Sequence, residues 1–334
     1  MTDGRHFVVT GGAGYIGSAL TAALLADGNR VTVLDSFLYG GEALLALRAF
    51  PGFRVVSCDV RAGDGLAEHM AGAHAVFHLA ALVGFPICDR VGEGETYAVN
   101  VDGTRNVYEA AARAEVPRLV YASSYSNYGI ADDDTLVAED SPLHPQSTYA
   151  SSKVAAERFL LDRPTGALPT VTCLRLATVF GVTPRMRFDL MLNQFALQVH
   201  NAETLVLYEQ DYRRTFVHVS DVVRAMRLVA DADTEKVAGQ VFNVGNETLN
   251  SSKRELVSLL REAWPALRVE NRAEGFGGDM RSVHVSFAKI RRTLDFQTRV
   301  DLRSGVRELH EALTSRWVHP ADVDRYRNHP PLLS

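Results

Sequence analysis

Residues 7–17 read Phe7-Val8-Val9-Thr10-Gly11-Gly12-Ala13-Gly14-Tyr15-Ile16-Gly17, and the order of residue types in this stretch decides the fold class. Phe7–Thr10 is a short apolar run, the pattern of a buried strand. From Ile16 to Asp27 the chain turns to Ala and Leu, which predicts a helix. Between the two lie glycines with separate tasks. Gly11 supplies the dihedrals of a tight turn, Gly14 lets backbone approach a pyrophosphate, and Gly17 lets the helix pack on the sheet. The helix N-terminus then presents free N–H groups and a partial positive charge to phosphates.

The next acid along the chain sharpens this reading. Asp35 ends the second predicted strand, at the distance where a carboxylate meets the adenosine ribose. A carboxylate there accepts hydrogen bonds from both ribose hydroxyls and repels a 2′-phosphate, so NAD is expected rather than NADP. Gly11, Gly14, Tyr15, Ile16, Gly17 and Asp35 are the resulting cofactor contacts. Asp59-Val60 closes the third strand, where such a fold holds the adenine edge. For Asp59 the alternative is a loop cap.

Further apolar runs at Arg30–Leu34, Arg54–Ser57, Ala75–Leu79, Arg118–Ala122 and Thr170–Leu176 read as strands, with helical patterns between most of them. Val99–Ala114 and Tyr149–Leu161 are the longest helix candidates. Strands that are apolar throughout, rather than alternating, imply burial on both faces and hence a parallel sheet covered by helices. This is a doubly wound α/β fold of Rossmann type. Beyond it Phe188–His200 reads helical, Thr204–Tyr208 extended and Asp211–Arg214 as a charged turn. Asp221–Ala230 is helical and Gln240–Val244 extended. Lys253–Trp264 and Asp301–Leu313 are short helices, and the tail at His329-Pro330-Pro331 is irregular. The expected organisation is an NAD-binding Rossmann domain of residues 1–176 plus 214–244. A smaller, discontinuous C-terminal substrate-binding cap takes residues 177–213 plus 245–334.

Composition narrows the function classes. At 334 residues, 46% hydrophobic and 22% charged, the chain matches a globular protein of two fused layers. A net charge of -5 leaves no basic footprint for nucleic acid. The most apolar stretch, Ala75–Cys88, is interrupted by His78 and too short to span a bilayer, so no membrane partner is expected. A strand-like run begins within a few residues of Met1, and no signal peptide is expected. Cys58, Cys88 and Cys173 are odd in number and lack metal-ligand spacing. They read as small buried hydrophobes in a reducing cytoplasm, with no metal.

Tyr149 and Lys153, in Tyr149-Ala150-Ser151-Ser152-Lys153, lie four residues apart at the start of a predicted helix and therefore on one face. A phenol with a pKa near ~10 is no base at neutral pH. A nearby ammonium and the positive nicotinamide of NAD+ would favour the phenolate. Tyr149 could then take a proton from a sugar hydroxyl as hydride leaves the same carbon. Ser123-Ser124 follows the strand Arg118–Ala122, at the carboxyl end where doubly wound folds bind ligands. Ser124 there can share the proton with Tyr149; the alternative is a serine satisfying its own loop.

With these residues in order, the chain resembles the extended short-chain dehydrogenase/reductase superfamily. The similarity is to NAD-dependent nucleotide-sugar epimerases and dehydratases such as the UDP-galactose 4-epimerase-like enzymes. It runs from Phe7 to about Val285 and rests on the glycine turn, Asp35, His78-Leu79-Ala80-Ala81, Asn100, Ser123-Ser124, Tyr128-Gly129 and Tyr149–Lys153. Leu174-Arg175, Phe180-Gly181, Arg214, Val217-His218-Val219, Asp221 and Phe242-Asn243-Val244-Gly245 complete it. The resemblance implies a Ser124–Tyr149–Lys153 triad, Ala80, Ala81 and Ser123 on the nicotinamide side, and cofactor contacts from Asn100, Tyr149 and Lys153. It also implies a nucleotide-diphosphate sugar as partner, with Arg214 and Arg281 on its diphosphate and Ser124, Tyr125, Ser126, Thr178 and Asn193 around it. A homodimer through Val99–Ala114 and Tyr149–Leu161 is expected on the same ground.

Departures from the family pattern choose among reactions. Members that eliminate water from C5 and C6 resemble Thr-Asp-Glu where this chain has Ser124-Tyr125-Ser126. Thr178 stands where 4-epimerases commonly carry an asparagine. Tyr125 either narrows the sugar pocket or packs away from it. The leading expectation is a nucleotide-sugar 4-epimerase working through a 4-keto intermediate. Its rivals are a dehydratase or 4-ketoreductase using the same triad, and, from another class, a non-catalytic NAD-binding scaffold.

Overall fold

The computed structural model describes residues 4–129, 136–164, 166–272, 284–318 and 326–328. Arg281 and the tail at His329-Pro330-Pro331 lie outside the described residues. Seven strands are β1 (His6–Thr10), β2 (Arg30–Asp35), β3 (Phe53–Ser57), β4 (Ala75–His78), β5 (Arg118–Ser124), β6 (Thr170–Leu176) and β7 (Gln240–Val244). They form one parallel sheet in the order β7-β6-β5-β4-β1-β2-β3. The chain winds outward from β1 to β3, then returns to lay β4 on the other side of β1. That reversal opens a crevice at the carboxyl ends of β1 and β4, where ligands bind in such sheets.

Seven helices matter here: α1 (Tyr15–Ala26), α2 (Gly103–Arg113), α3 (Thr148–Leu161), α4 (Met191–His200), α5 (Val219–Asp231), α6 (Lys253–Ala263) and α7 (Leu302–Thr314). The strands are buried on both faces because side chains alternate between two cores. Phe7 and Val9 pack with Leu20, Leu24, Val222 and Met226 of α1 and α5. Val8 packs with Val107, Ala110, Ala156 and Leu160 of α2 and α3. A third core, including Phe188, Leu192, Phe216, Leu256 and Leu309, joins α4, α6 and α7 outside the sheet. Among the described residues no helix is long and apolar enough to cross a membrane.

Two readings change. The expected helix over Val99–Ala114 is broken into a wider π-type turn at Ala98–Asp102 followed by α2. The Asn100 side chain leaves that turn to bond the Leu82 backbone. The expected charged turn at Asp211–Arg214 ends early. Tyr212 closes it, and Arg213–His218 is a strand between Thr178–Phe180 and Asn250–Ser252. Arg213 hides the strand pattern in the sequence, because its charge is matched by Glu255 at the start of α6 rather than by a neighbour along the chain.

Gly11 and Gly17 carry the turn into α1. Gly11 has φ +71°, and a Cβ on it would sit 2.7 Å from the Ala80 nitrogen. A Cβ on Gly17 would sit 2.1 Å from the Gly11 carbonyl oxygen. Gly17→Ala should therefore cost about 1–3 kcal/mol through forced backbone movement. Gly94→Ala, with open space around it, should be within about 0.5 kcal/mol of the native chain. Urea unfolding midpoints of the two variants check the contrast.

Candidate active site

A cavity of ≈ 400 Å³ opens at the carboxyl ends of β1, β2, β4 and β5. It brings together Gly11, Gly14, Tyr15, Ile16, Gly17, Asp35, Asp59, Val60, Ala80, Ala81, Ser123, Tyr149 and Lys153. Gly14 is the N-cap of α1, and no side chain caps that end. The first N–H groups of the helix thus remain for a ligand, in keeping with a diphosphate seat. The Asp35 carboxylate accepts from the Ala13 and Phe37 backbone N–H groups at 2.9 and 2.8 Å, tying the glycine turn to the end of β2. Each of its oxygens keeps further acceptor capacity. Burial pushes its carboxyl above the ordinary range. Asp59 does cap its loop: its carboxylate accepts from the Arg61 backbone and guanidinium, which holds its carboxyl below the ordinary range.

Serine supplies the start of the catalytic helix. Ser147 caps α3 by accepting from the Ala150 N–H, and Tyr149 and Lys153 follow on one face. Ser124 ends β5, its hydroxyl accepts from the Ser126 N–H, and it lies near enough to the Tyr149 phenol to favour its charged form. Lys153 is buried, donates to the Ala122 carbonyl at 2.9 Å and lies 4.7 Å from the Tyr121 ring centroid. Burial pushes the Tyr149 phenol up to about 12, against the opposing influence of Ser124 and the Arg187 charge. Burial also pushes Lys153 down to about 8. The sequence reading assigned activation of the phenol to Lys153 together with the nicotinamide of NAD+. Within the folded chain Ser124 and Arg187 are the groups that favour the phenolate.

One turn beyond Lys153, Glu157 is sealed inside the protein. It accepts from Ser123 Oγ at 2.6 Å and from the Arg175 guanidinium, with Arg175 Nη2 at 2.5 Å. Arg175 Nη1 also donates to the Tyr128 hydroxyl, which donates to Asn243 Oδ1. This network locks α3 to β5, β6 and β7. His78 is neutral, its pKa pushed down to about 3 by burial, and bridges Thr10 and Thr104 through its two ring nitrogens.

Other expected site residues stand elsewhere. Asn100 does not line the cavity; it braces the 80–82 loop through Leu82 and bonds Ser152 Oγ. Asn193 is buried between the Gly181 N–H, the Tyr15 hydroxyl and the Arg187 carbonyl. Tyr125 is packed in the core with its hydroxyl 2.8 Å from Thr178 Oγ1. Ser126 N–H donates to Ser124 Oγ. Arg214 lies on the strand Arg213–His218, away from the cavity lining, and Arg281 is outside the described residues. Cys88 and Cys173 are buried as expected, whereas Cys58 is half-buried and lines the cavity. Tyr39, Arg185 and Arg187, which the sequence reading passed over, also line it. Two arginines flanking Met186 in an apolar stretch were the available signal.

The sequence profile of the NAD dependent epimerase/dehydratase family matches residues 7–245. The chain belongs to this family. A dTDP-glucose 4,6-dehydratase of Streptomyces griseus is 33% identical over 328 residues, 94% of either chain. Among solved structures, MoeE5 in complex with UDP-glucuronic acid and NAD is 32% identical with a TM-score of 0.79, covering 94% of this chain and 100% of that one. DesIV, a dTDP-glucose 4,6-dehydratase from Streptomyces venezuelae solved with NAD, is 29% identical with a TM-score of 0.82, covering 95% and 99%. Membership in an NAD-dependent family accords with the glycine turn, Asp35 and the uncapped start of α1.

The buried charges separate activity from stability. Lys153 has a folded pKa of about 8 against an ordinary 10.5, so between those values the unfolded chain binds a proton that the fold rejects. Stability thus rises with pH across that window. Lys153→Met, inactive, should gain about 1–3 kcal/mol below pH 8, and its advantage should close by pH 10.5. Glu157→Gln should lose about 3–5 kcal/mol by leaving Arg175 buried without its partner. Denaturant unfolding at two pH values checks both.

Proposed function

We propose that this enzyme is a nucleotide-sugar 4-epimerase. The observation that carries the reading is the site behind Tyr149: Ser124 acts on its phenol, while Tyr125 and Ser126 stand where the resemblance puts an elimination pair. Tyr125 is engaged with Thr178, and neither residue bears a carboxyl group. Elimination across C5 and C6 needs one group to remove a proton and another to protonate the leaving hydroxyl. Among the described residues no such acidic pair stands beside Ser124.

NAD, bound along the glycine turn and Asp35, would supply the electron acceptor and donor at C4. Tyr149 removes the proton of the 4-hydroxyl and returns it to the same oxygen, with Ser124 holding that oxygen. Lys153 stays fixed by the Ala122 carbonyl in the cavity wall. It is buried beside Tyr149, which is half-buried in the same wall. The 4-keto sugar turns over between the two half-reactions. The expected diphosphate contacts, Arg214 and Arg281, and the sugar contacts Thr178 and Asn193 belong to the same proposal. So does the division into a Rossmann domain (1–176 plus 214–244) and a cap (177–213 plus 245–334). Free Cys58, Cys88 and Cys173 support a reducing cytoplasmic setting.

A second reading, a nucleotide-sugar 4,6-dehydratase, is favoured by the 33% identical relative. The two differ in product. Incubating the purified enzyme with UDP, dTDP, GDP and CDP sugars in deuterated water, without added cofactor, should yield a C4 epimer free of solvent deuterium by NMR. A 4-keto-6-deoxy sugar carrying deuterium at C5 would sink the epimerase reading in favour of the dehydratase. Net consumption of NADH would indicate a ketoreductase, and bound NAD with no turnover a scaffold. Tyr149→Phe should lower kcat about 10²–10⁴-fold while NAD stays bound; equal turnover would overturn the mechanism.

We also propose a homodimer built on α2 and α3, the described helices that cover one face of the sheet. Sedimentation at micromolar concentration should give twice the monomer mass of 36.6 kDa.

A further inference from the structure

Arg185 and Tyr39 reach the cavity from distant parts of the chain. Tyr39 follows β2, and Arg185 lies between the strand Thr178–Phe180 and α4. The Arg185 guanidinium carbon stands 4.7 Å from the centre of the Tyr39 ring, so the two side chains close over one end of the cavity. Asp35, in the same cavity as the glycine turn, is near enough for its charge to act on Arg185, while Tyr39 packs with Leu82, Ile87 and Cys88.

Both side chains carry an unanswered donor. Among the described residues, Arg185 Nε and the Tyr39 hydroxyl are buried and have no hydrogen-bond partner. The remaining guanidinium nitrogens donate only to backbone carbonyls, Nη1 to Met186 and Nη2 to Arg327. Asp189, the nearest acid along the chain, is taken by Arg187. Asp35 acts on Arg185 at a distance, while its oxygens are held by the Ala13 and Phe37 N–H groups. Arg185 is therefore a buried cation without a bonded carboxylate. Burial and the neighbouring Arg187 bring its pKa down to about 10. Such a charge is costly unless an anion completes it.

We propose that Arg185 and Tyr39 form a latch that closes on the adenosine-diphosphate half of NAD and makes the dinucleotide a held group instead of an exchanging one. The anion that fits is a diphosphate with an adjoining ribose: a guanidinium donates to phosphate oxygens, and a phenol to either phosphate or ribose oxygens. A nucleotide sugar carries a diphosphate too. The placement beside Asp35 and the glycine turn selects the cofactor's diphosphate. The inference rests on the NAD reading of this cavity and adds to it how the cofactor is retained.

The test measures cofactor retention rather than turnover. Native protein, Arg185→Gln, Arg185→Lys and Tyr39→Phe are purified, NAD per chain is determined after acid extraction, and the bound NAD is chased with excess etheno-NAD to obtain its release rate. Arg185→Gln should release NAD about tenfold faster or more, as expected for loss of a charge-assisted bond. Arg185→Lys should restore part of the retention, and Tyr39→Phe should speed release about threefold. Tyr39→Phe removes one oxygen only, so it keeps the test open if Arg185→Gln fails to fold. Native release rates in both Arg185→Gln and Tyr39→Phe would overturn the latch. A raised KM for the nucleotide sugar with NAD release unchanged would overturn it too and move Arg185 to the substrate's diphosphate. A native chain that neither carries NAD nor takes it up on titration would overturn the cofactor reading together with the latch.

Discussion

The ion pair between Glu157 and Arg175 is the contact on which the active site depends. Both residues are almost wholly buried, and each charge is costly to take out of water. The cost is offset by the network around the pair, in which Ser123, Tyr128 and Asn243 all take part. Those residues come from β5, the turn that follows it, and β7, while Glu157 itself belongs to α3. Tyr149 and Lys153 lie two turns and one turn earlier on the same helix face. Their position against Ser124 follows from where Glu157 is anchored.

Burial then sets the chemistry of the groups held there. It raises the Tyr149 phenol to about 12 and lowers Lys153 to about 8. The chain's own groups thus keep the Tyr149 phenol in its neutral form, and in the proposed reading positive charge is what would make it a base. Arg187 already acts in that direction. The same cavity carries a second buried cation in Arg185, whose bonded partners are carbonyls. An excess of desolvated positive charge, next to an uncapped helix start, describes a site built for diphosphates more than for stability of the empty fold.

The family relation and the site geometry speak to different questions. Relatives with dehydratase names are similar over nearly the whole chain, and the DesIV structure shares its fold. Overall similarity of this kind selects no reaction, and in the proposed reading selection falls to the residues just after β5. Tyr125 and Thr178, which the sequence marked separately as departures, bond each other across the site. Tyr125 is packed in the core at its ring and meets Thr178 at its hydroxyl, so the alternative of a side chain turned away is the one that its ring follows.

By itself the sequence determined the parallel sheet, its winding and the residues at its carboxyl edge. Runs such as Phe7–Thr10 and Thr170–Leu176 are apolar without alternation, and glycines at Gly11 and Gly17 are the residues that fit a turn with no room for a Cβ. These are local properties, expressed over a few residues. The wider turn holding Asn100, the strand hidden in Arg213–His218 and the closure of Arg185 over Tyr39 were decided by tertiary structure alone. Each depends on a partner tens to hundreds of residues away, and no local pattern encodes that distance. The tyrosine–lysine pair belongs to both halves. Its spacing was visible at once, but the direction of its pKa shifts is set by burial, and burial exists only once the chain has folded.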